Sequence, residues 1–287
     1  MRVAFVGLGV MGFPMAGHLS TAGLDVTVYN RTAKKADAWR AKYRGGVAAT
    51  PAEAASGADV VCSCVGNDAD LKSVMLGGQG ILDGVRPDAV VVDHTTASAS
   101  VARELSSITA ERSAAFLDAP VSGGQAGAEN GQLTIMAGGE AGALARVRPV
   151  LDCYAKAVTH IGAVGSGQLA KMVNQICIAG VLQGLAEGLH FAKRAGLDMA
   201  AVIDAISAGA AQSWQMENRW QSMIAGEFDF GFAVDWMRKD LGIALAEAEQ
   251  NGATLDMTRV IDRYYAEVQA MGGARWDTSS LIARLER

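Results

Sequence analysis

Arg2-Val3-Ala4-Phe5-Val6-Gly7-Leu8-Gly9-Val10-Met11-Gly12 opens the chain with a β-rich run, a glycine pattern and, after it, helical periodicity through Ala22. This is G-x-G-x-x-G between a strand and a helix, the setting that gives the pattern its meaning. Gly7 permits a tight turn, Gly9 lets a pyrophosphate approach the backbone, and Gly12 packs helix on strand. The helix N-terminus then presents unpaired N–H groups and its positive dipole end to phosphates. The reading is a dinucleotide-binding α/β domain whose phosphate loop is Gly7, Leu8, Gly9, Val10, Met11 and Gly12.

Working outward, the next strand, Asp25 to Tyr29, ends in Asn30-Arg31-Thr32. A NAD-binding chain usually places an acid here for the ribose 2′-hydroxyl, and an acid would repel a 2′-phosphate. Arg31 can pair with that phosphate bidentately, and Asn30 and Thr32 can donate to it. NADP(H) is therefore expected over NAD(H), with a plain solvated turn as the competing explanation.

Strand and helix patterns then alternate. Thr50-Pro51-Ala52-Glu53 reads as a capped helix start. Val60 to Val65 is a strand followed by Gly66-Asn67-Asp68 and a helix near Ala69 to Met75. Val90 to Asp93 is another, followed by His94-Thr95-Thr96. Ligands of open α/β sheets lie beyond the carboxyl ends of strands, which nominates Val65, Gly66, Asn67 and Thr96 as cofactor neighbours. Asn67 and Thr96 read equally well as ordinary turn and cap residues. Ala115 to Ala119 runs into Pro120-Val121-Ser122-Gly123-Gly124, whose backbone N–H groups suit a small anion such as a substrate carboxylate. A turn that needs positive φ explains Gly123 and Gly124 as well. Leu133 to Ala137 and Ala157 to Ile161 complete the sheet, with a helix near Glu140 to Leu151 between them.

Beyond Gly165-Ser166-Gly167 nearly everything reads as helix. If Gly167 opens that helix, Lys171, Asn174 and Gln175 share one face among apolar neighbours. A lysine snorkelling to water is the alternative.

The bulk properties narrow the classes. The chain has 287 residues, half of them hydrophobic, and a net charge of −5 with interspersed signs. Neither a nucleic-acid surface nor an anionic membrane is expected as a partner. The start of the sequence has no signal-peptide pattern. The apolar stretch from Ile176 to Leu189 is interrupted by Gln183 and Glu187 and is short for a bilayer. Cys62, Cys64, Cys153 and Cys177 form no framework and read as buried free thiols of a cytoplasmic protein. No His or Cys spacing suits a metal.

Four blocks in order give the chain a family likeness: Gly7 to Ala16, Asp118 to Gly124, Gly165 to Gln175, and Lys239-Asp240-Leu241. The ending Gly272 to Ser279 adds a fifth, with Ala274 where a glycine is usual. The chain resembles the β-hydroxyacid dehydrogenases, the 3-hydroxyisobutyrate dehydrogenase and tartronate semialdehyde reductase relatives of 6-phosphogluconate dehydrogenase. The resemblance implies an α/β fold with a Rossmann-type dinucleotide-binding domain at 1–163, a long joining helix at 164–195 and an all-α C-terminal domain at 196–287 used in dimerisation. It implies Lys171 as the acid/base, Asn174 as a catalytic-site hydrogen-bonding group, and Ser122, Gly123 and Gly124 as the carboxylate cradle. Gln175 stands where many relatives have asparagine, and counts as a substrate contact on that basis. Lys239 would lie near the nicotinamide end of the cofactor, and Trp236 would wall the substrate pocket. The other large residues of this region, Trp214, Met216, Trp220, Met223, Phe228, Phe230 and Phe232, are expected in the core or a subunit interface.

The activity so implied is hydride exchange between NADP(H) and a small carboxylate-bearing β-hydroxy acid or semialdehyde, by a homodimer or homotetramer. In oxidation Lys171 must be neutral to accept a proton, which desolvation by apolar neighbours favours. Rival readings are an imine reductase, a noncatalytic cofactor-binding protein, and a sugar-phosphate decarboxylating dehydrogenase. Retention of Lys171 and Asn174 argues against the first two. The short C-terminal region argues against the third.

Overall fold

A computed structural model describes residues 1–286. The chain divides into two compact units, Met1–Lys171 and Met172–Arg287. The first begins β1 (Arg2–Val6), α1 (Gly12–Thr21), β2 (Asp25–Tyr29), α2 (Ala33–Lys42), β3 (Gly46–Val47) and α3 (Pro51–Ala55). It continues with β4 (Val60–Ser63), α4 (Asp68–Leu76), α5 (Ile81–Gly84), β5 (Val90–Asp93), α6 (Ala99–Ala110) and β6 (Ala115–Asp118). It ends with β7 (Val121–Ser122), α7 (Gly124–Glu129), β8 (Leu133–Gly138), α8 (Ala141–Leu151), β9 (Ala155–Gly162) and the start of α9 (Ser166–Arg194).

The sheet order is β3-β2-β1-β4-β5-β6-β8-β7, with β9 also on β8. Its first six strands run parallel, in the 3-2-1-4-5-6 arrangement of dinucleotide-binding sheets. β8 then runs antiparallel to β6 and β7 and parallel to β9.

Period-two alternation along the strands divides the core between the two sheet faces. Phe5, Val28, Val92 and Leu117 face one helical layer, and Ala4, Val6, Val61, Val91 and Phe116 face the other. Strands buried on both faces need continuous apolar runs, which is why these segments lack the polar alternation of a half-exposed sheet.

The second unit is helical: the rest of α9, then α10 (Met199–Ser207), α11 (Trp214–Ala225), α12 (Val234–Asn251) and α13 (Asp256–Ala270). Two 3-10 segments follow, Gly273–Arg275 and Thr278–Leu285. On α9, Ala179, Leu182, Ala186 and Leu189 recur at three- and four-residue spacing and pack with Met237, Leu241, Ile261 and Tyr265.

Two sequence expectations change here. α9 is 29 residues long, and by length and mean hydropathy of 1.3 it could cross a bilayer. The helix thus extends beyond Ile176 to Leu189 at both ends, with 44 % of its most apolar 18-residue window buried inside the protein. Nor are all four cysteines buried: Cys62 is, Cys64 and Cys153 are half-buried, and Cys177 is exposed. Helical periodicity turns Cys177 outward, a direction its apolar sequence neighbours did not reveal.

Candidate functional site

The phosphate loop separates three glycines by cause. A Cβ on Gly7, whose φ is +100°, would lie 2.3 Å from the Cys64 carbonyl oxygen. One on Gly12 would lie 2.0 Å from the Gly7 carbonyl oxygen and 2.9 Å from the Phe5 ring. One on Gly9 would meet no protein atom within 4 Å. Protein packing thus demands glycine at the first and third positions, whereas at Gly9 the backbone is bare toward space that a pyrophosphate would fill. The residues present fit a dinucleotide.

At the end of β2 the side chains have partners within the chain. Asn30 Oδ1 accepts from Leu8 N at 2.8 Å and Asn30 Nδ2 donates to the Thr32 carbonyl at 3.1 Å. Asn30 therefore fastens the glycine loop to β2 and is already engaged on both sides of its amide. Arg31 is the exposed cation, its Nη1 3.1 Å from Asp70 Oδ1. Thr32 precedes α2 without its hydroxyl capping it.

Asn67 caps α4, its Oδ1 accepting from Asp70 N at 2.8 Å, so the cap reading describes its side chain. Val65, Gly66 and Thr96 are half-buried. The loops carrying them are locked by a buried polar network that sequence reading did not find. Asp93 Oδ1 accepts from Ser63 Oγ at 2.8 Å and from Thr95 Oγ1 at 2.7 Å. Thr95 Oγ1 in turn accepts from Val65 N at 3.1 Å. From α9, Gln168 Nε2 donates to the Thr95 carbonyl at 2.7 Å while its Oε1 accepts from Ala97 N at 3.0 Å. Burial raises the Asp93 carboxyl to about 7 against hydroxyl and backbone bonds that lower it. The signal available in the sequence was three polar residues, Asp93, His94 and Thr95, ending a strand of valines.

His94 ties this network to the Pro120 to Gly124 segment. Its Nδ1 lies 2.7 Å from the Ala119 carbonyl, which can only accept, so Nδ1 carries the proton. Burial lowers the imidazole to about 4, so its Nε2 is an acceptor and the Tyr154 hydroxyl donates to it at 2.8 Å. Ala119 opens the Pro120 to Gly124 turn, in which Ser122 is half-buried and Gly123 and Gly124 have φ of +130° and +60°. Positive φ explains both glycines, and the same turn exposes their backbone. His18 Nε2, from α1, donates to the Ala128 and Glu129 carbonyls at 3.0 and 3.1 Å and holds the far end of α7.

These two buried groups have opposite linkage to pH. His94 falls from 6.5 unfolded to about 4 folded, so its contribution is present above 6.5 and lost as pH drops toward 4, on the order of 3 kcal/mol. Asp93 rises from 3.8 to about 7, so its contribution is full below 3.8 and is lost as pH rises through 7. In urea titrations across pH 4 to 8, His94→Gln should flatten the acid limb and Asp93→Asn the neutral limb. A His94→Gln protein that weakens on acidification as steeply as the parent would refute the assignment.

α9 starts on a carboxylate: Asp118 Oδ1 accepts from Gly165 N at 2.7 Å and Oδ2 from Gln168 N at 2.9 Å. Burial raises this acid, while the backbone N–H groups pull it down. Lys171 follows within the first turns and is buried, 8 % exposed, so it is not a snorkelling lysine. Asn174 lies one turn on and half-buried, while Gln175 is buried.

In the second unit, Gln175 Nε2 donates to Asp240 Oδ2 at 2.7 Å and Gln175 Oε1 accepts from Asn174 Nδ2 at 2.7 Å. Asp240 Oδ1 is 3.0 Å from Lys239 Nζ, which sits 5.9 Å from the centre of the Trp236 ring. Met216, Met223 and Phe228 are core residues, while Trp214, Phe230, Phe232 and Trp236 are exposed in the single chain. Arg219 stacks between Trp214 and Phe230, 4.8 and 5.0 Å from their centres. Asp277 caps the closing 3-10 segment through Ser279 N at 3.0 Å and also accepts from Phe232 N at 2.9 Å.

Residues 2–162 match the family described as the NAD binding domain of 6-phosphogluconate dehydrogenase. Residues 165–285 match the one described as NAD-binding of NADP-dependent 3-hydroxyisobutyrate dehydrogenase. The chain belongs to the β-hydroxyacid dehydrogenase family. The chain is 63 % identical to an uncharacterized oxidoreductase of Shewanella frigidimarina, over 100 % of this chain and 98 % of the relative. It is 32 % identical to 2-hydroxy-3-oxopropionate reductase of Escherichia coli, over 100 % and 97 %. A solved 3-hydroxyisobutyrate dehydrogenase of Mycobacterium tuberculosis, with L-serine, superposes with a TM-score of 0.91 at 32 % identity, covering 100 % and 99 %. As a β-hydroxyacid dehydrogenase the chain is an NAD(P)-dependent oxidoreductase acting on hydroxy acids.

Proposed function

We propose that the protein exchanges hydride between NADP(H) and a small β-hydroxy acid, at the carbinol carbon that becomes the carbonyl of the matching oxo acid or semialdehyde. The class includes 3-hydroxyisobutyrate, tartronate semialdehyde, glyoxylate and succinic semialdehyde. The observation that carries this reading is the buried Lys171, set one turn before Asn174 on a helix whose start is pinned by Asp118. A bound nicotinamide supplies or accepts the hydride. In reduction Lys171 gives a proton to the nascent alkoxide oxygen, and in oxidation its neutral amine takes the hydroxyl proton. Ser122, Gly123 and Gly124 hold the substrate carboxylate with a hydroxyl and backbone N–H groups. Asn174 hydrogen-bonds the substrate and orients it.

Consumption of NADPH and NADH with tartronate semialdehyde, glyoxylate and succinic semialdehyde, beside cyclic imines, and reduction of NADP⁺ and NAD⁺ with 3-hydroxyisobutyrate, beside 6-phosphogluconate, test the assignment. Turnover of imines alone, or CO₂ release from 6-phosphogluconate alone, would replace it. We assign the protein to the cytoplasm as a homodimer or homotetramer, without nucleic-acid or membrane partners, which light scattering and fractionation would check.

The preference for NADP(H) rests on Arg31. Asn30→Asp keeps an oxygen for Leu8 N and so leaves the loop fastened, while adding the charge that repels a 2′-phosphate. Combined with Arg31→Leu it should reverse the ratio of kcat/KM for the two cofactors. Asp70→Asn releases Arg31 from its ion pair and should tighten NADPH two- to fivefold at low salt, about the worth of an exposed pair. Unchanged cofactor ratios in the double variant would eliminate Arg31 as the determinant.

A further inference from the structure

Asp240 is 1 % exposed and Gln175 2 %, an expensive pair of polar side chains to bury unless each atom is directed. Their partners set a direction. An ionised carboxylate facing an ammonium can only accept, and Asp240 faces Lys239 Nζ at 3.0 Å with one oxygen. The group that meets its other oxygen at 2.7 Å must therefore be the NH₂ of Gln175. That turns the Gln175 carbonyl toward Asn174, which must answer with its own NH₂, at 2.7 Å. The one consistent arrangement leaves Asn174 Oδ1 pointing away from Gln175.

We infer that Asp240 and Gln175 are positioning residues that lock the polarity of the Asn174 amide, so that Asn174 offers a carbonyl oxygen to a hydrogen-bond donor on the substrate. The donor class is a hydroxyl other than the one oxidised, such as the 2-hydroxyl of tartronate semialdehyde, because the single proton of the reacting hydroxyl goes to Lys171. This inference rests on the reading of Asn174 as a substrate contact. Sequence could not supply it, since an asparagine alone is symmetric in shape and its direction is set by a residue 66 positions away. It also gives Gln175 a task other than touching the substrate: both ends of its amide are engaged.

Three variants test it on the intact enzyme. Gln175→Leu keeps the bulk and removes both bonds. It should raise KM for the hydroxy acid on the order of tenfold, with a smaller fall in kcat, because the bonds lost are those to a charged chain. Gln175→Glu is the directional probe. Protonated, the new carboxyl donates to Asp240 and accepts from Asn174 as the glutamine does; ionised, it loses its donor to Asp240 and is pushed off Asn174 by the like charge it then faces. Its KM should approach the parent value at low pH and climb as pH rises, while the parent KM changes less over the same range. A merely structural glutamine would give no such pH-dependent split between the two proteins.

The side-chain amide protons of Asn174, identified by their disappearance in Asn174→Ala, give a readout that needs no substrate. Their hydrogen exchange should be about tenfold or more faster in Gln175→Leu than in the parent. Faster exchange without a change in KM would keep the lock and sink the substrate role of Asn174. Unchanged exchange in a folded Gln175→Leu protein would overturn the lock itself.

Discussion

Lys171→Ala is expected to lower kcat by a factor of roughly 10² to 10⁴, the usual worth of a general acid/base group. The variant should keep its affinity for NADP(H), since none of the side chains around the phosphate loop is touched. A thermal melt checks that it folds. Lys171→Arg should not restore turnover: a guanidinium stays protonated and cannot accept the hydroxyl proton in oxidation. Small primary amines added to Lys171→Ala should recover part of the rate, since they return the lost group to the space it left. Single-turnover oxidation of bound NADPH separates this chemistry from product release. A Lys171→Ala enzyme turning over near the parent rate ends the proposed mechanism.

The second large effect lies in the phosphate loop, where three glycines should respond in two ways. Gly12→Ala drives a methyl to 2.0 Å from the Gly7 carbonyl oxygen and Gly7→Ala drives one to 2.3 Å from that of Cys64. Neither backbone can yield without moving β1 or α1, so each should cost about 3 kcal/mol of stability. Gly9→Ala meets no protein atom within 4 Å and should leave the melting temperature in place. Its methyl would instead occupy the approach of the pyrophosphate and weaken NADP(H) binding tenfold or more, about 1.4 kcal/mol. Thermal melts and fluorescence titration with NADPH on the three variants distinguish the cases. A Gly9→Ala protein that binds NADPH as tightly as the parent would remove Gly9 from the cofactor site.

Much of the architecture could be read from periodicity. Strand-length apolar runs separated by helical patterns account for β1, β2, β4, β5 and β6, because each must bury both faces. The Thr50 cap is also as read, with Glu53 N donating to its hydroxyl at 3.0 Å, since capping is a matter of four adjacent residues. Side-chain assignments fared differently wherever a second partner lay far along the chain. Asn30 takes a partner that its sequence neighbours do not reveal: it accepts from Leu8 N, 22 residues back, and fastens the glycine loop. Cys177 looked apolar by its neighbours, yet the helix turns it outward. Trp214 and Phe230 flank the Arg219 guanidinium at the surface of the chain, a stack that no local pattern announces.

The order of residues along the chain was enough for the α/β class, the phosphate loop at Gly7 to Gly12, and the grouping of Lys171, Asn174 and Gln175 on one helical face. Each depends on interactions within a few residues, whose geometry backbone sterics dictate. The Asp93–His94–Tyr154 lock, the seating of α9 on Asp118, and the direction of the Asn174 amide depend on partners tens of residues apart. Those became visible only with the chain folded, because burial leaves a polar atom one permitted partner and the fold chooses which residue that is. A buried carboxylate at Asp240 thereby decides which end of Asn174 faces outward.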